Sequence, residues 1–270
     1  MEEAEAVPQI EDQPIYDAFA GYYDPSDIDR AAEIAFYLSL IREGDRALLE
    51  LACGTGIITT RLADRILARH GASARIAGLD VSEEMLKIAR ARDPRVEWIV
   101  GDMRAPSVAG GFDIVICAFN TLQQILSDAE LVATFRAVRN LLNRGGFFVF
   151  DIFRPDFESL NAWPAEQRLR SFSDNEGHLV ELWESGRYDP SARILFEDWR
   201  VVDPRAAAAL PLALLPLKLR QFLPNEIEQF LAAANLEIRE RFGDVHKSPF
   251  TATSKKQVVI CVPGRGSAAV

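Results

Sequence analysis

The stretch Leu48-Leu49-Glu50-Leu51-Ala52-Cys53-Gly54-Thr55-Gly56-Ile57-Ile58-Thr59-Thr60-Arg61-Leu62-Ala63 decides the fold. An apolar run, Ala47-Leu48-Leu49, leads into Glu50. Small residues follow from Ala52 to Gly56, and Ile57, Ile58 and Leu62 then recur at helical spacing. The order is strand, tight glycine turn, helix. Gly54 and Gly56 let the backbone approach a ligand closely, with a helix opening just behind them. A second apolar run, Ala74-Arg75-Ile76-Ala77-Gly78-Leu79, ends on Asp80. An acid at that place can accept hydrogen bonds from both hydroxyls of a ribose. Together the two sites describe a pocket for an adenosine-containing molecule.

The loop also says which adenosine compounds it suits. A dinucleotide site calls for G-x-G-x-x-G, whose third glycine permits close helix–strand packing beside a pyrophosphate. Thr59 stands at that third position, and no basic residue occurs in the loop before Arg61. An acid, Glu50, sits inside the motif instead, which suits a cationic ligand. A nicotinamide-dependent oxidoreductase is the more distant alternative. It calls for the third glycine and a Tyr-x-x-x-Lys proton relay, and the chain has neither.

The string Glu50-Leu51-Ala52-Cys53-Gly54-Thr55-Gly56 resembles the first motif of the class I S-adenosylmethionine-dependent methyltransferases, whose cofactor carries a sulfonium and an α-ammonium. The resemblance continues in order. Gly78-Leu79-Asp80-Val81-Ser82 with Glu83 to Arg90 is similar to the second strand and helix. Trp98 to Arg104 is similar to the third strand and its loop, Phe112 to Asn120 to the fourth strand, and Leu141 to Asp151 to the fifth. The resemblance implies a Rossmann-like α/β fold: a seven-stranded, mostly parallel sheet with helices on both faces. It implies cofactor contacts from Glu50, Ala52, Gly54 and Gly56, and from Asp80 at the ribose. Val81 and Met85 would pack on the adenine, Asp102 and Met103 would meet its edge, and Ala118 would lie where the fourth strand borders the transferred methyl.

Composition agrees with a globular enzyme. Apolar residues make up 49% and charged residues 26% of 270 residues, enough for one α/β domain with additions. The net charge of -10 argues against non-specific nucleic-acid binding, which needs clustered Lys and Arg. Cys53, Cys117 and Cys261 lack metal or redox spacing and read as buried thiols. The acidic start, Met1-Glu2-Glu3, is unlike a secretory signal, and no apolar run is long enough to span a bilayer. The expectation is a cytoplasmic protein without nucleic-acid or membrane partners. No metal is expected, since Asp151 is the only tempting acid and one acid does not make a site.

The chain divides unevenly. Residues 1–13 read as a disordered acidic tail and 264–270 as a frayed one. The core is expected over 14–151 and 223–263, with an aromatic-rich N-terminal lid at Ile15 to Tyr23. Between them, 152–222 loses the βα alternation. Leu179 to Glu184 and Ile194 to Val202 alternate as antiparallel strands, and 206–219 leads into a third strand ending at Phe222. This is an inserted antiparallel β-cap after the fifth strand, over the acceptor pocket. Its apolar stretch, Leu210 to Leu219, reads either as pocket lining or as a homodimer contact. Pro224-Asn225-Glu226 opens a helix, and two closing strands follow. Phe242-Gly243-Asp244 with Ser248-Pro249-Phe250, and the lid string Tyr16 to Asp24, are similar to the small-molecule subgroup that includes N-methyltransferases of sugar amines and glycine-like amines.

That subgroup implies a small-molecule acceptor, an amine above all. Methyl transfer from a sulfonium is an in-line displacement with a neutral leaving group, so positioning carries much of the rate. An amine needs only to lose its proton; a hydroxyl or carbon acceptor, the alternative reading, needs a general base such as Glu or Tyr. The candidate catalytic residues are Tyr16 and Tyr22 in the lid, Asn120 after the fourth strand, and Glu181 in the cap. Each also has a plain structural reading as lid packing, helix cap or solvent-facing charge.

Overall fold

Alternating apolar strands and amphipathic helices from Ala47 to Phe153 build a parallel sheet, because each helix buries one apolar face while the strands are covered on both. The computed structural model describes residues 15–24, 29–174, 177–205 and 211–264. A 3₁₀ turn at Asp17–Phe19 runs into α1 (Ala20–Tyr23), and α2 (Ala31–Leu40) follows. Then come β1 (Ala47–Leu51), α3 (Ile57–His70), β2 (Arg75–Asp80), α4 (Glu83–Arg92), β3 (Glu97–Val100) and β4 (Phe112–Cys117). A 3₁₀ turn, Thr121–Gln124, precedes α5 (Asp128–Leu141) and β5 (Leu142–Phe153). After α6 (Phe157–Asn161) come β6 (Gln167–Ser173), β7 (Leu179–Asp189), β8 (Ile194–Val202) and β9 (Ala213–Arg220). The chain closes with α7 (Pro224–Ala233), β10 (Leu236–Phe242) and β11 (Lys256–Pro263).

The seven-stranded sheet has the order β10-β11-β5-β4-β1-β2-β3, antiparallel only where β11 meets β5 and β10. This is the Rossmann-like fold that the motif order implies. The order reverses between β1 and β4, so the crevice at their carboxyl ends is the natural ligand site. All five residues of β1 are buried, which is what a central parallel strand requires. Local signals set the helix starts. Ser82 Oγ accepts the Met85 N–H at 3.2 Å to cap α4, and Pro224 opens α7 while Glu226 accepts the Leu223 N–H at 2.8 Å.

Two glycines owe their place to one indole. A Cβ on Gly78 would lie 2.4 Å from Trp98 Cζ3, and one on Gly56 2.3 Å from Trp98 Cη2. The Trp98 ring thus fills the space beneath the glycine turn, held by its Nε1 donating to the Asp93 carbonyl at 2.8 Å.

The second sheet has the order β6-β7-β8-β9, antiparallel throughout. Two of its strands, β7 and β8, enclose the two alternating runs read in the sequence, and β9 ends just before Gln221-Phe222. The fourth, β6, was not expected. It is a polar edge strand in which Phe172 alone is buried, so it carries almost no apolar period. The inner face of this cap buries Val180, Leu182, Leu195, Val201, Leu215 and Leu217 against Phe19 of the lid. The tails expected at 1–13 and 264–270 lie outside the described residues, except for Gly264, whose N–H donates to the Asn235 carbonyl at 2.9 Å. Among the described residues no helix is long and apolar enough to cross a membrane.

Candidate active site

Leaving β1, the backbone takes positive φ at Ala52 (52°), Gly54 (53°) and Gly56 (74°). Ala52 is the costly member, since a side chain in that region is disfavoured by roughly 1–2 kcal/mol. The twist turns the Gly54 N–H onto Asp80, whose Oδ2 accepts it at 2.7 Å while Oδ1 accepts the Ser82 N–H at 2.9 Å. Asp80 therefore pins the two ligand turns to each other. Below it, Glu50 is only 2% exposed. One of its carboxylate oxygens accepts both the Thr59 N–H, at 2.9 Å, and the Thr59 hydroxyl. Thr59 at the position of a third glycine thus has a specific use. Burial pushes the Glu50 carboxyl up to about 8, against the Thr59 hydrogen bonds and with the help of the Asp80 charge. Burial also raises Asp80, partly offset by its backbone donors.

Over this cradle lies the lid. A cavity of about 300 Å³ lies between them, lined by Tyr16, Tyr23, Ala52, Gly54, Leu79, Asp80, Val81, Met85, Gly101 to Arg104, Thr121, Gln124 and Ile125. Tyr16 and Tyr23 meet edge to face at 5.9 Å. Burial pushes the Tyr23 hydroxyl up to about 12 and raises Tyr16 further, so both are neutral phenols at physiological pH. The lid is fastened at both ends. Asp17 accepts from the Ser82 hydroxyl, and Asp24 accepts from the Thr55 hydroxyl beside Arg92, which itself donates to the Thr55 carbonyl at 2.8 Å.

Eight of the residues named from the sequence line the cavity: Tyr16, Ala52, Gly54, Asp80, Val81, Met85, Asp102 and Met103. Glu50 sits one layer below. Gly56 faces Trp98, so its missing side chain serves packing. Ala118 is buried in the core and lends its carbonyl to the Thr121 hydroxyl at 2.7 Å. Tyr22 turns to the cap's apolar cluster, 6.4 Å from Phe19. Asn120 has φ 62° at the head of the 3₁₀ turn without capping it; its Oδ1 is buried and has no hydrogen-bond partner within the protein.

Glu181 is a correction. Val180, Leu182 and Glu184 take the buried face of β7, so Glu181 points outward. There it pairs with Arg168 at 2.8 Å and accepts from Trp183 Nε1 at 2.9 Å. Its arginine partner holds it below the usual carboxylate range. The acid that does face inward is Glu184, next to Glu197 of β8, each 6% exposed. Burial, with Glu184 beside it, raises the Glu197 carboxyl to about 8. Glu197 also accepts from Trp199 Nε1 at 2.6 Å, and Glu184 from Gln167 Nε2 at 2.5 Å. Tyr16 packs on the apolar cluster of the cap, and the Glu197 charge adds to the raising of its hydroxyl. Strand parity would have pointed to Glu184 over Glu181, had the apolar face of β7 been assigned first.

Thr121, Gln124 and Ile125 carry no distinctive sequence pattern; the first two lie on the short 3₁₀ turn Thr121–Gln124 and Ile125 directly follows it. Arg220, the basic residue that ends β9, is spent within the protein: it donates to the Leu126 carbonyl at 2.9 Å and pairs with Asp128.

Comparison with known proteins agrees with this geometry. Residues 48–146 match the model of a family described as a methyltransferase domain. A putative methyltransferase of Bacillus subtilis is 28% identical over 142 residues, 51% of this chain and 53% of its own length. A dTDP-3-amino-3,6-dideoxy-alpha-D-glucopyranose N,N-dimethyltransferase of Streptomyces fradiae is 35% identical over 103 residues, 38% of each chain. The chain spans about half the length, or less, of these curated relatives. Among solved structures, a sugar N-methyltransferase from Streptoalloteichus shares the fold with a TM-score of 0.69 at 23% identity, over 96% of this chain and 98% of its own. An S-adenosylmethionine-dependent methyltransferase from Clostridium acetobutylicum has a TM-score of 0.70 at 19% identity, over 88% and 93%. Residues 48–146 are thus similar to a methyltransferase domain, and the chain as a whole shares the fold of these solved structures.

Proposed function

We propose that this chain transfers a methyl group from S-adenosylmethionine to an amine of a small molecule, with an amino sugar as the leading acceptor class. The observation that carries the cofactor half is the charge of the cradle. Glu50 and Asp80 are buried acids with raised affinity for protons, which is the state of a carboxylate that lacks a cation. Among the described residues lining the cavity, Arg104 is the single basic side chain, and it is paired with Asp102 at 2.7 Å and Glu130 at 3.1 Å. A cationic ligand meets that need and a pyrophosphate does not.

Bound there, S-adenosylmethionine would supply a methyl group on a positively charged sulfur. Asp80 would hold ribose hydroxyls, Val81 and Met85 would flank the adenine, and Asp102 and Met103 would meet its edge. The lid tyrosines exclude water from the cavity, and Tyr16 is held toward it by Gln124. On the acceptor side, the free Oδ1 of Asn120 suits an amine N–H. The Glu184–Glu197 pair suits a substrate that arrives as an ammonium ion, since it can attract the cation and take up its proton. Support for an amino sugar comes from the Streptomyces relative named above and from a further relative, at 31% identity over 140 residues, named as a dTDP-4-amino-2,3,4,6-tetradeoxy-D-glucose N,N-dimethyltransferase.

The test is a product assay. The protein is incubated with S-adenosylmethionine and a panel of amino-sugar nucleotides, simple amines, phenols and carboxylates, and S-adenosylhomocysteine and methylated product are read by mass spectrometry. Methylation confined to amines supports the reading. Turnover confined to oxygen or carbon acceptors overturns the amine assignment and leaves the cofactor assignment standing.

A further inference from the structure

Asp151 is a buried acid outside the cofactor cradle. It lies at the carboxyl end of β5, only 3% exposed, and every polar atom it presents is engaged. Oδ1 accepts the Tyr37 hydroxyl at 3.0 Å and the Phe119 N–H at 2.9 Å. Oδ2 accepts from Lys256 Nζ at 2.7 Å. The Asp151 carbonyl accepts the Asn120 N–H at 3.2 Å. One residue thus collects both amides of the Phe119-Asn120 pair.

That pair is unusual. Phe119 and Asn120 stand at φ 59° and 62°, two successive side-chain-bearing residues in the left-handed region. Such a conformation persists only where its surroundings over-determine it, and it concentrates at functional sites. Here it ends β4 at the switch point of the sheet and sets the direction of the 3₁₀ turn that follows. Thr121 and Gln124 of that turn line the cavity, and Gln124 Nε2 donates to the Tyr16 hydroxyl at 2.9 Å. Gln123 anchors the turn from behind, accepting the Phe153 N–H and donating to the Arg220 carbonyl, both at 2.9 Å. A continuous set of contacts therefore runs from Lys256 through Asp151 to the Phe119-Asn120 turn, Gln124 and the lid.

We infer that Asp151, neutralised by Lys256 and oriented by Tyr37, is a positioning residue: it holds the left-handed Phe119-Asn120 turn so that Thr121 and Gln124 meet the cavity and Tyr16 is kept closed over it. The effect on ligand affinity rests on the cofactor reading given above; the effect on the turn and lid does not.

The test separates the two. Hydrogen exchange is followed by mass spectrometry in the full chain and in Asp151→Asn, Lys256→Met and Tyr37→Phe. Tyr37→Phe removes one hydrogen bond without changing charge, and so stays informative where the other two fold poorly. Asp113→Asn is the control, because Asp113 also binds two backbone amides, Arg46 at 2.8 Å and Ala47 at 3.0 Å, with none of the cavity-lining residues involved. The expected result is exchange about tenfold faster over 118–125 and 15–24, with 47–51 and 236–242 unchanged, in the Asp151 network variants and not in the control. Adding Asn120→Gly to Asp151→Asn restores slow exchange at 15–24, because glycine takes positive φ freely. S-adenosylhomocysteine affinity, read by calorimetry, falls about tenfold in Asp151→Asn and stays within about twofold in Asp113→Asn. Uniform acceleration across the chain, or no acceleration at 15–24, overturns the positioning role. A wild-type chain that binds no S-adenosylhomocysteine overturns the cofactor reading, while the exchange pattern still decides the role of Asp151.

Discussion

Gln124 Nε2 donates to the Tyr16 hydroxyl at 2.9 Å, across 108 residues of sequence. That bond joins the N-terminal lid to the turn after β4, and both partners line the cavity. Neither residue belongs to the glycine motif. The lid therefore lines the candidate site in the folded protein and is tied to the turn at the carboxyl end of β4.

Removing the donor should leave the buried Tyr16 hydroxyl without its partner. Gln124→Leu is expected to cost about 1–3 kcal/mol, with Tyr16→Phe costing less because the hydroxyl leaves with its need for a bond. Urea unfolding measures both. Equal stability of Gln124→Leu and wild type would show that the lid does not depend on this contact.

Asp80 joins the two ligand turns, so its loss should abolish cofactor binding. S-adenosylhomocysteine at about 100 times its dissociation constant adds roughly 2.7 kcal/mol to the wild type. For a chain of this size the melting temperature then rises by roughly 5–10 °C. The shift should vanish in Asp80→Ala and be absent with NAD in either protein. A shift with NAD alone would return the nicotinamide reading to first place.

Glu50 makes binding and stability depend on pH. Its folded-state pKa, about 8, lies above the usual carboxylate value, so its stabilising contribution is complete below about 4.5 and is lost as pH rises through about 8. Glu197 acts in the same direction. The melting temperature of the ligand-free protein should fall from pH 5 to pH 8, and Glu50→Gln should flatten that fall. A cationic ligand favours the ionised carboxylate, so binding near pH 7 should release a proton. Calorimetry in buffers of different ionisation enthalpy reads that release. Proton uptake on binding would contradict the role given to Glu50.

The outer and inner acids of the cap should differ from each other. Glu181 is a surface partner of Arg168, and Glu181→Gln is expected to stay within about 0.5 kcal/mol of wild type with unchanged turnover. Glu184→Gln and Glu197→Gln should alter the pH dependence of turnover on an amine. Loss of activity in Glu181→Gln, with the two inner variants unaffected, would reverse the assignment.

Gly78→Ala tests the packing under the cradle. The added methyl meets Trp98, and overpacking of this kind costs about 1–3 kcal/mol. Trp98→Leu in the same chain should recover part of the loss. Additive effects of the two substitutions, measured by chemical denaturation, would show that the indole is not what requires glycine there.

Much of this protein was legible along the chain. Strand, glycine turn and helix recur locally, and the apolar runs that end on Glu50 and Asp80 name the two ligand turns before any fold is known. The closing helix at Pro224 and the alternating cap strands are local signals of the same kind. Edge strand β6 was not legible, because a strand with one buried side chain has no apolar period to read.

The sequence by itself determined the order of elements and the side of the sheet on which a ligand sits, since both follow from residue spacing and the direction of parallel strands. Tertiary structure alone decided which side chains meet. It put Glu184 inside and Glu181 outside, filled the space at Gly56 and Gly78 with Trp98, and gave the amides of Phe119 and Asn120 to Asp151. Each of these is a contact between residues distant in sequence or a choice between two strand faces. Both are settled by packing against another element, which local spacing does not encode.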